Sequence, residues 1–277
     1  MSVKLLKRQV VNYYNRLLKK NLYWWEPDGS LNMGDHLSKY IVESTLRLRD
    51  FELCDKTDDR HKLLAIGSIL HYARDGDCLW GTGNLGFIPD KKMKFTDLDC
   101  RSVRGPKTRE YLLSRGIQCP EIYGDPALLM PLFYNENLLT KEKATRDFII
   151  IPHLSDDLSL YSDYEEHLLF SDMYPLEFTS KLLEAKMVVS SSLHGIIIAE
   201  AYGIPAVYFR GSKKDEDNDF KYHDYYLGTE RKNYQFYDSI DAALQAEVTP
   251  IEKNVLRKLQ ANLIASFPYD LWSRTEQ

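Results

Sequence analysis

The run from Met187 to Phe209 limits the fold of this chain more than any other stretch. Met187-Val-Val189 is short and β-prone, the polar cluster Ser190, Ser191, Ser192 follows, and Leu193 to Tyr202 is apolar nearly all round. Serines ahead of an apolar run suit a helix N-terminus. Gly203 and Pro205 suit its end, the glycine just past the last turn and the proline beyond it. Ala206-Val-Tyr-Phe209 then resumes an extended run. A strand, a helix without a polar face and a second strand in so short a space make a βαβ unit, which belongs to a parallel sheet covered by helices. One histidine, His194, falls in the first turn of the expected helix. Open parallel sheets hold ligands at such strand-to-helix turns, and the free N–H groups there favour anions.

The same plan recurs upstream. Lys62-Leu-Leu-Ala-Ile-Gly67-Ser68 and Cys78-Leu-Trp-Gly81-Thr82-Gly83 are strands running into small residues. Such residues let a ligand approach the backbone, although one such turn alone also serves as a tight turn and nothing more. Asp99-Cys-Arg101-Ser-Val-Arg104-Gly-Pro106 is the next strand-to-helix junction, with Pro106 opening a helix over Lys107 to Leu113. Arg104 sits where that helix begins, so its guanidinium and the helix N-terminus can share one anion, with Arg101 close by in sequence. Asn32-Met-Gly-Asp35 precedes a periodic run from His36 to Leu48, and Asn32 or Asp35 can cap it. Tyr123-Gly-Asp125-Pro126 reads as a further helix start capped by Asp125. Phe148-Ile-Ile-Ile-Pro-His153 opens the second half; His153, taken alone, reads as structural. A short helix is expected from Thr179 or Ser180 to Lys186, a charged loop from Arg210 to Asp219, and an aromatic stretch with Lys221 from Phe220 to Gly228. That stretch suits a sugar and a phosphate, or an ordinary packed edge. Residues 2–20 and the chain beyond Ser239 read as helical, with Pro250 dividing the latter.

At 277 residues the chain calls for two domains or one large α/β domain, and the polar run Asn135 to Arg146 is the natural boundary. We therefore expect an N-terminal α/β unit over 1–145 and a C-terminal one over 146–277, with the last helix packing back on the first. A net charge of −5 argues against nucleic acid as partner, so an anionic ligand must be held by a few placed cations. The four cysteines form no CxxC pair, which speaks against zinc and for reduced thiols of a cytoplasmic protein. No apolar stretch is long enough for an integral membrane segment. The basic segment Met1 to Lys20 lacks the apolar core of a signal peptide; it suits a solvated helix, or an amphipathic one in peripheral contact with the inner face of the membrane.

Four blocks, in this order, resemble the polysaccharide pyruvyltransferase family: Asn32-Met-Gly-Asp35; Trp80-Gly-Thr-Gly83; Ser102-Val-Arg-Gly-Pro106 with Tyr123-Gly-Asp-Pro126; and Ser192-Leu-His-Gly195 with Gly203-Ile-Pro205. The resemblance spans about residues 30 to 228. It implies two Rossmann-like domains in a glycosyltransferase-B-like arrangement with the active site in the inter-domain cleft. It also implies transfer of a pyruvyl group from phosphoenolpyruvate to a sugar, forming a cyclic ketal across two hydroxyls. His194 matches the catalytic histidine of the family and Arg104 the arginine of the first-domain turn. Many members carry an arginine two residues before the histidine, where this chain has Ser192, and a glycine-rich run where it has Trp24 to Leu31. Lys221, Arg210 and Arg101 are the cations that can compensate.

The chemistry fits these residue types. Phosphoenolpyruvate carries a carboxylate and a phosphate, and a guanidinium such as that of Arg104 grips either one through two parallel bonds. Ketal formation needs a proton delivered and a hydroxyl proton removed, which an imidazole does near neutral pH. The expected roles are His194 as acid and base and Arg104 as donor clamp. Asn32, Asp35, Gly67, Ser68, Gly81, Thr82, Gly83, Arg101, Ser191, Ser192 and Lys221 are the expected substrate contacts. No metal or cofactor is called for, since phosphoenolpyruvate is a substrate, and the glycan acceptor is free or lipid-linked. Two other readings stand beside this one: a glycosyltransferase-B-type enzyme using a nucleotide-sugar donor, and a non-catalytic sugar-binding protein.

Overall fold

The computed structural model describes residues 20–26, 31–58, 60–212, 216–248 and 250–272, without the side chains of 216–218. The expected helix over 2–20, apart from Lys20, and residues 27–30 of the tryptophan-bearing loop lie outside them.

The chain is α/β with two parallel sheets. In the first, β1 (Leu22–Tyr23), β2 (Leu63–Leu64), β3 (Cys78–Trp80) and β4 (Asp99–Ser102) lie side by side in sequence order. In the second, β5 (Ile149–Ile151), β6 (Val188–Ser190) and β7 (Ala206–Tyr208) do the same, with Ile149 in register with Val188 and Val188 with Ala206. Sheets covered on both faces are built from continuous apolar runs rather than alternating ones. Accordingly Ile149, Ile150 and Ile151 are all fully buried.

Helix α1 (Met33–Arg47) follows β1, and α2 (Pro106–Ser114) follows β4. The short helices α3 (Met130–Phe133) and α4 (Glu136–Leu139) lead into the second half, where α5 (Pro175–Leu182) precedes β6 and α6 (Leu193–Ala201) joins β6 to β7. Then come α7 (Glu216–Gly228), α8 (Ile240–Leu244) and α9 (Lys253–Ala265). The βαβ unit of the opening stretch is thus present, and α6 is buried along almost its whole length because it has no polar face to turn outward.

Three boundaries differ from the sequence reading. Helix α1 starts at Met33, ahead of the periodic run from His36, because of the two caps offered it is Asn32 whose Oδ1 accepts the Gly34 N–H (3.1 Å). Helix α5 starts at Pro175, a residue whose fixed φ suits a first turn, and ends at Leu182. The end of the expected charged loop and the aromatic stretch form one helix, α7, from Glu216 to Gly228.

Helix α9 lies against the first half: Trp80 Nε1 donates to the Leu263 carbonyl (2.9 Å) and Gln260 Nε2 to that of Leu128 (2.8 Å). One apolar cluster runs through both sheets, from Leu22, Leu63 and Trp80 to Ile149, Val188 and Ala206. All four cysteines are free thiols. Among the described residues no helix is long and apolar enough to cross a membrane.

Candidate functional site

Most residues singled out in the sequence lie just past the C-terminal ends of parallel strands. Gly67 and Ser68 follow β2, Gly81 to Gly83 follow β3, Arg104 follows β4, His153 follows β5, and Ser191 to His194 follow β6. Carbonyl ends of strands and the helix starts after them make a polar rim on an apolar sheet, the usual seat of a ligand in such folds.

His194 is at the centre of that rim. It sits in the first turn of α6, whose N-cap position, Ser192, makes no side-chain capping bond. Ser190 Oγ instead accepts the Ser192 N–H (2.9 Å). The imidazole packs closely against the start of α1: a Cβ added to Gly34 would stand 2.2 Å from Nδ1 and 2.8 Å from Cγ. Glycine at 34 is therefore a requirement of space. Asn32 Nδ2 donates to Asp35, so this cap holds the Asp35 carboxylate beside Gly67, which has φ +104°.

The Asp125 carboxyl faces His194 from the other side. Its Oδ1 accepts the Ala127 N–H (2.9 Å) and caps the turn Pro126–Leu129, against which α6 packs. Its Oδ2 is buried without a partner, as is His194 Nε2, and these two atoms are 3.9 Å apart. Burial pushes the Asp125 carboxyl up to about 7, against the pull of the Ala127 and Gly67 N–H groups and Arg104. Burial, with Lys221, Arg104 and His153 adding positive charge, pushes His194 down to about 3. The histidine side chain still keeps 16% of its surface exposed.

Arg104 is buried and held at each of its three nitrogens. Nε donates to Asp224 Oδ2 (3.0 Å), Nη1 to Ser68 Oγ (2.6 Å) and Nη2 to the Asn84 carbonyl (2.7 Å). Gly83 leaves room for it, since a Cβ there would stand 2.3 Å from Cζ. Thr82 Oγ1 donates to the Gly67 carbonyl (2.8 Å), and the Gly81 N–H to that of Ser102 (2.9 Å), so these turns are braced on one another. Ser191 Oγ accepts the His153 N–H (2.8 Å) and meets Tyr161 Oη (2.9 Å) and Asp156.

Of the cations offered in place of an arginine at 192, the structure brings Lys221 into the field at His194. Arg101 turns away to Asp99 and Asp270, and Arg210 pairs with Asp219 and Asp238. Arg101 is therefore not gathered with the other candidates. Asp125, Asp224 and His153 are gathered there without having been chosen from the sequence. The Tyr123-Gly-Asp-Pro126 motif marked Asp125 as a cap, but the fate of its second oxygen depends on a contact made only by folding.

Residues 86–213 match the family model described as polysaccharide pyruvyl transferase. The match takes in Arg104, Asp125, Ser191, Ser192 and His194. An uncharacterised protein of Acanthamoeba polyphaga mimivirus is 29% identical over 220 residues, which are 75% of this chain and 75% of that one. A solved structure of a functionally uncharacterised protein from Klebsiella pneumoniae subsp. pneumoniae aligns over 86% of this chain and all of that one, at 14% identity and a TM-score of 0.42.

Proposed function

We propose that this chain, which carries polysaccharide pyruvyl transferase sequence over residues 86–213, moves a pyruvyl group from phosphoenolpyruvate to a glycan and closes a cyclic ketal with His194 as acid and base. The observation that carries the reading is the setting of His194: a largely buried imidazole in the field of Lys221 and Arg104, in the first turn of a helix whose N-cap makes no side-chain bond. That is a place for a small, highly charged anion. An incoming phosphate and carboxylate offset the two cations, so the imidazole becomes easier to protonate once the donor is bound. In this reading residues 1–145 present the acceptor and contribute Arg104, and 146–277 form the donor side with His194, as Rossmann-like halves of a glycosyltransferase-B-like enzyme. The acceptor is a free or lipid-linked glycan met in the cytoplasm.

The reaction balances through one base. His194 removes the proton of a sugar hydroxyl as its oxygen bonds to C2 of the enol, and hands that proton on to C3, which becomes a methyl group. The second hydroxyl then displaces phosphate from C2, its proton leaving with the phosphate. Positioned proton transfer of this kind contributes about 10²–10⁴-fold. Arg104, held by Asp224, Ser68 and Asn84, keeps its direction whether or not a donor is bound.

The test is incubation of the protein with phosphoenolpyruvate and a panel of glycans. The expected result is phosphate release that depends on the glycan, with a gain on the acceptor of one pyruvic acid less one water. His194→Gln should lower the rate by about 10²–10⁴-fold. Turnover of a nucleotide sugar with none of phosphoenolpyruvate overturns the reading.

A further inference from the structure

The His194 setting leaves a chemical difficulty. An imidazole held at about 3 is a feeble base, and the surrounding cations Lys221 and Arg104, with His153, act in that direction. The two unpartnered atoms facing each other across 3.9 Å offer the way out. We propose that Asp125 is the positioning partner of His194, its Oδ2 sharing a proton with Nε2 so that the pair works as one acid–base unit and presents Nδ1 to the substrate.

Four observations lead there. Capping the Pro126–Leu129 turn occupies only Oδ1 of Asp125, so the cap does not account for the second oxygen. A buried polar atom without a partner is costly, and these two, 3.9 Å apart, are satisfied together by a ring movement of about 1 Å. Helix α6 packs on that same turn, so ring and carboxyl are carried by elements in direct contact. Nε2 is buried without a partner, whereas Nδ1 is not buried in that way and is the ring atom nearest Gly34.

The pair then has two states. When Asp125 is protonated, its O–H donates to Nε2 and Nδ1 carries a hydrogen, ready to act as an acid. When Asp125 is ionised, Nε2–H donates to Oδ2 and Nδ1 carries a lone pair, ready to act as a base. Asp125 faces Arg104 and the N–H groups of Gly67 and Ala127, and its value of about 7 puts the switch between these states near neutrality. The unit is therefore poised although the lone imidazole is not.

This inference rests on the acid–base role given to His194, but one arm of its test needs no substrate. The ¹⁵N signals of the His194 ring report which nitrogen carries the hydrogen. In the wild type the expected ring is Nδ1–H at pH 5 and Nε2–H at pH 9, changing over near 7. Asp125→Asn keeps the cap, since asparagine caps as well as aspartate. Its amide N–H donates to Nε2, so the ring should stay Nδ1–H throughout. Asp125→Ser keeps the cap and removes the second oxygen, giving a second variant should the first fold poorly; its ring should show no changeover. With phosphoenolpyruvate and a working acceptor, both variants should lose about 10²–10⁴-fold in kcat with KM for the donor nearly unchanged. A ring in the wild type that holds one tautomer from pH 5 to 9, or an Asp125→Asn protein with wild-type kcat, overturns the proposal. Absence of pyruvyl transfer in every variant, with the changeover present, overturns the reaction and leaves the pair standing.

Discussion

At the scale of single residues, the site depends on atoms that are missing as much as on those present. Gly34 has no Cβ, and the His194 ring occupies the space one would fill. Gly34→Ala is expected to push the imidazole off α1 and out of its present alignment with Asp125, lowering kcat by about 10²-fold or more. The same change should also cost about 1–3 kcal/mol of stability, because the buried ring fills the space that the new Cβ needs. Steady-state kinetics beside urea denaturation separates the two effects, and a fall in stability without loss of turnover contradicts the geometry. Much at this scale was legible beforehand. Asn32 as a cap, and His194 at a helix start, are set by neighbours a few residues away, and local chemistry reads them correctly. Arg101 and Arg104 show the limit. Both stand at the end of β4, yet one reaches Asp270 near the chain's end and the other Asp224. Nothing within a few residues of either distinguishes those fates.

At the scale of elements, α7 is where the sequence reading fell short, and the reason is physical. Its inward side chains are carboxylates, tyrosines and that of Lys221, with no aliphatic residue among those that are buried. Asp219 accepts from Tyr208 Oη (3.0 Å) and Arg210 (2.9 Å), Tyr222 Oη donates to the Ser191 carbonyl (2.6 Å), and Asp224 accepts from Arg104 and Thr108. A helix buried through charge and hydroxyl pairs shows no apolar stripe, so periodicity does not announce it. It crosses the start of α2 so closely that a Cβ on Gly105 would stand 1.9 Å from the Asp224 carbonyl oxygen. Helix α7 thus fastens the Arg104 turn of the first sheet to the serine turn of the second. Asp224→Ala should cost about 3–5 kcal/mol in urea unfolding, because it leaves the Arg104 charge buried and unopposed. The double change Arg104→Met with Asp224→Leu should recover most of that stability, as apolar replacements of buried pairs often do. If Arg104 binds donor, the recovered protein will still fail to turn over phosphoenolpyruvate. A stable, fully active double variant would confine Arg104 to the scaffold.

At the scale of the whole molecule, a single apolar cluster and α9 join the two halves that the polar run Asn135 to Arg146 separates in sequence. Unfolding should therefore be one transition, coincident by far-ultraviolet circular dichroism and tryptophan fluorescence; two resolved transitions would show that the shared core does not couple the halves. The buried pair at the site also writes itself into the stability of the whole chain. Folding raises Asp125 from 3.8 to about 7, so between those values the folded protein binds more protons than the unfolded chain, and this contribution to stability falls as pH rises. Folding lowers His194 from 6.5 to about 3, so between those values the unfolded chain binds more protons, and this contribution grows as pH rises. Neither shift has the other group among its causes: burial leads in both, followed by the N–H groups and Arg104 for Asp125, and by Lys221, Arg104 and His153 for His194. From about 4 to 6.5 the two slopes oppose, and the wild-type pair contributes little net pH dependence. Removing one partner exposes the other. Relative to wild type, His194→Gln should lose stability as pH rises through that window, and Asp125→Asn should gain it. Urea unfolding at half-unit steps of pH from 4 to 7 measures both differences. Two variants whose curves run parallel to wild type would mean that neither group meets the burial from which this site derives its chemistry.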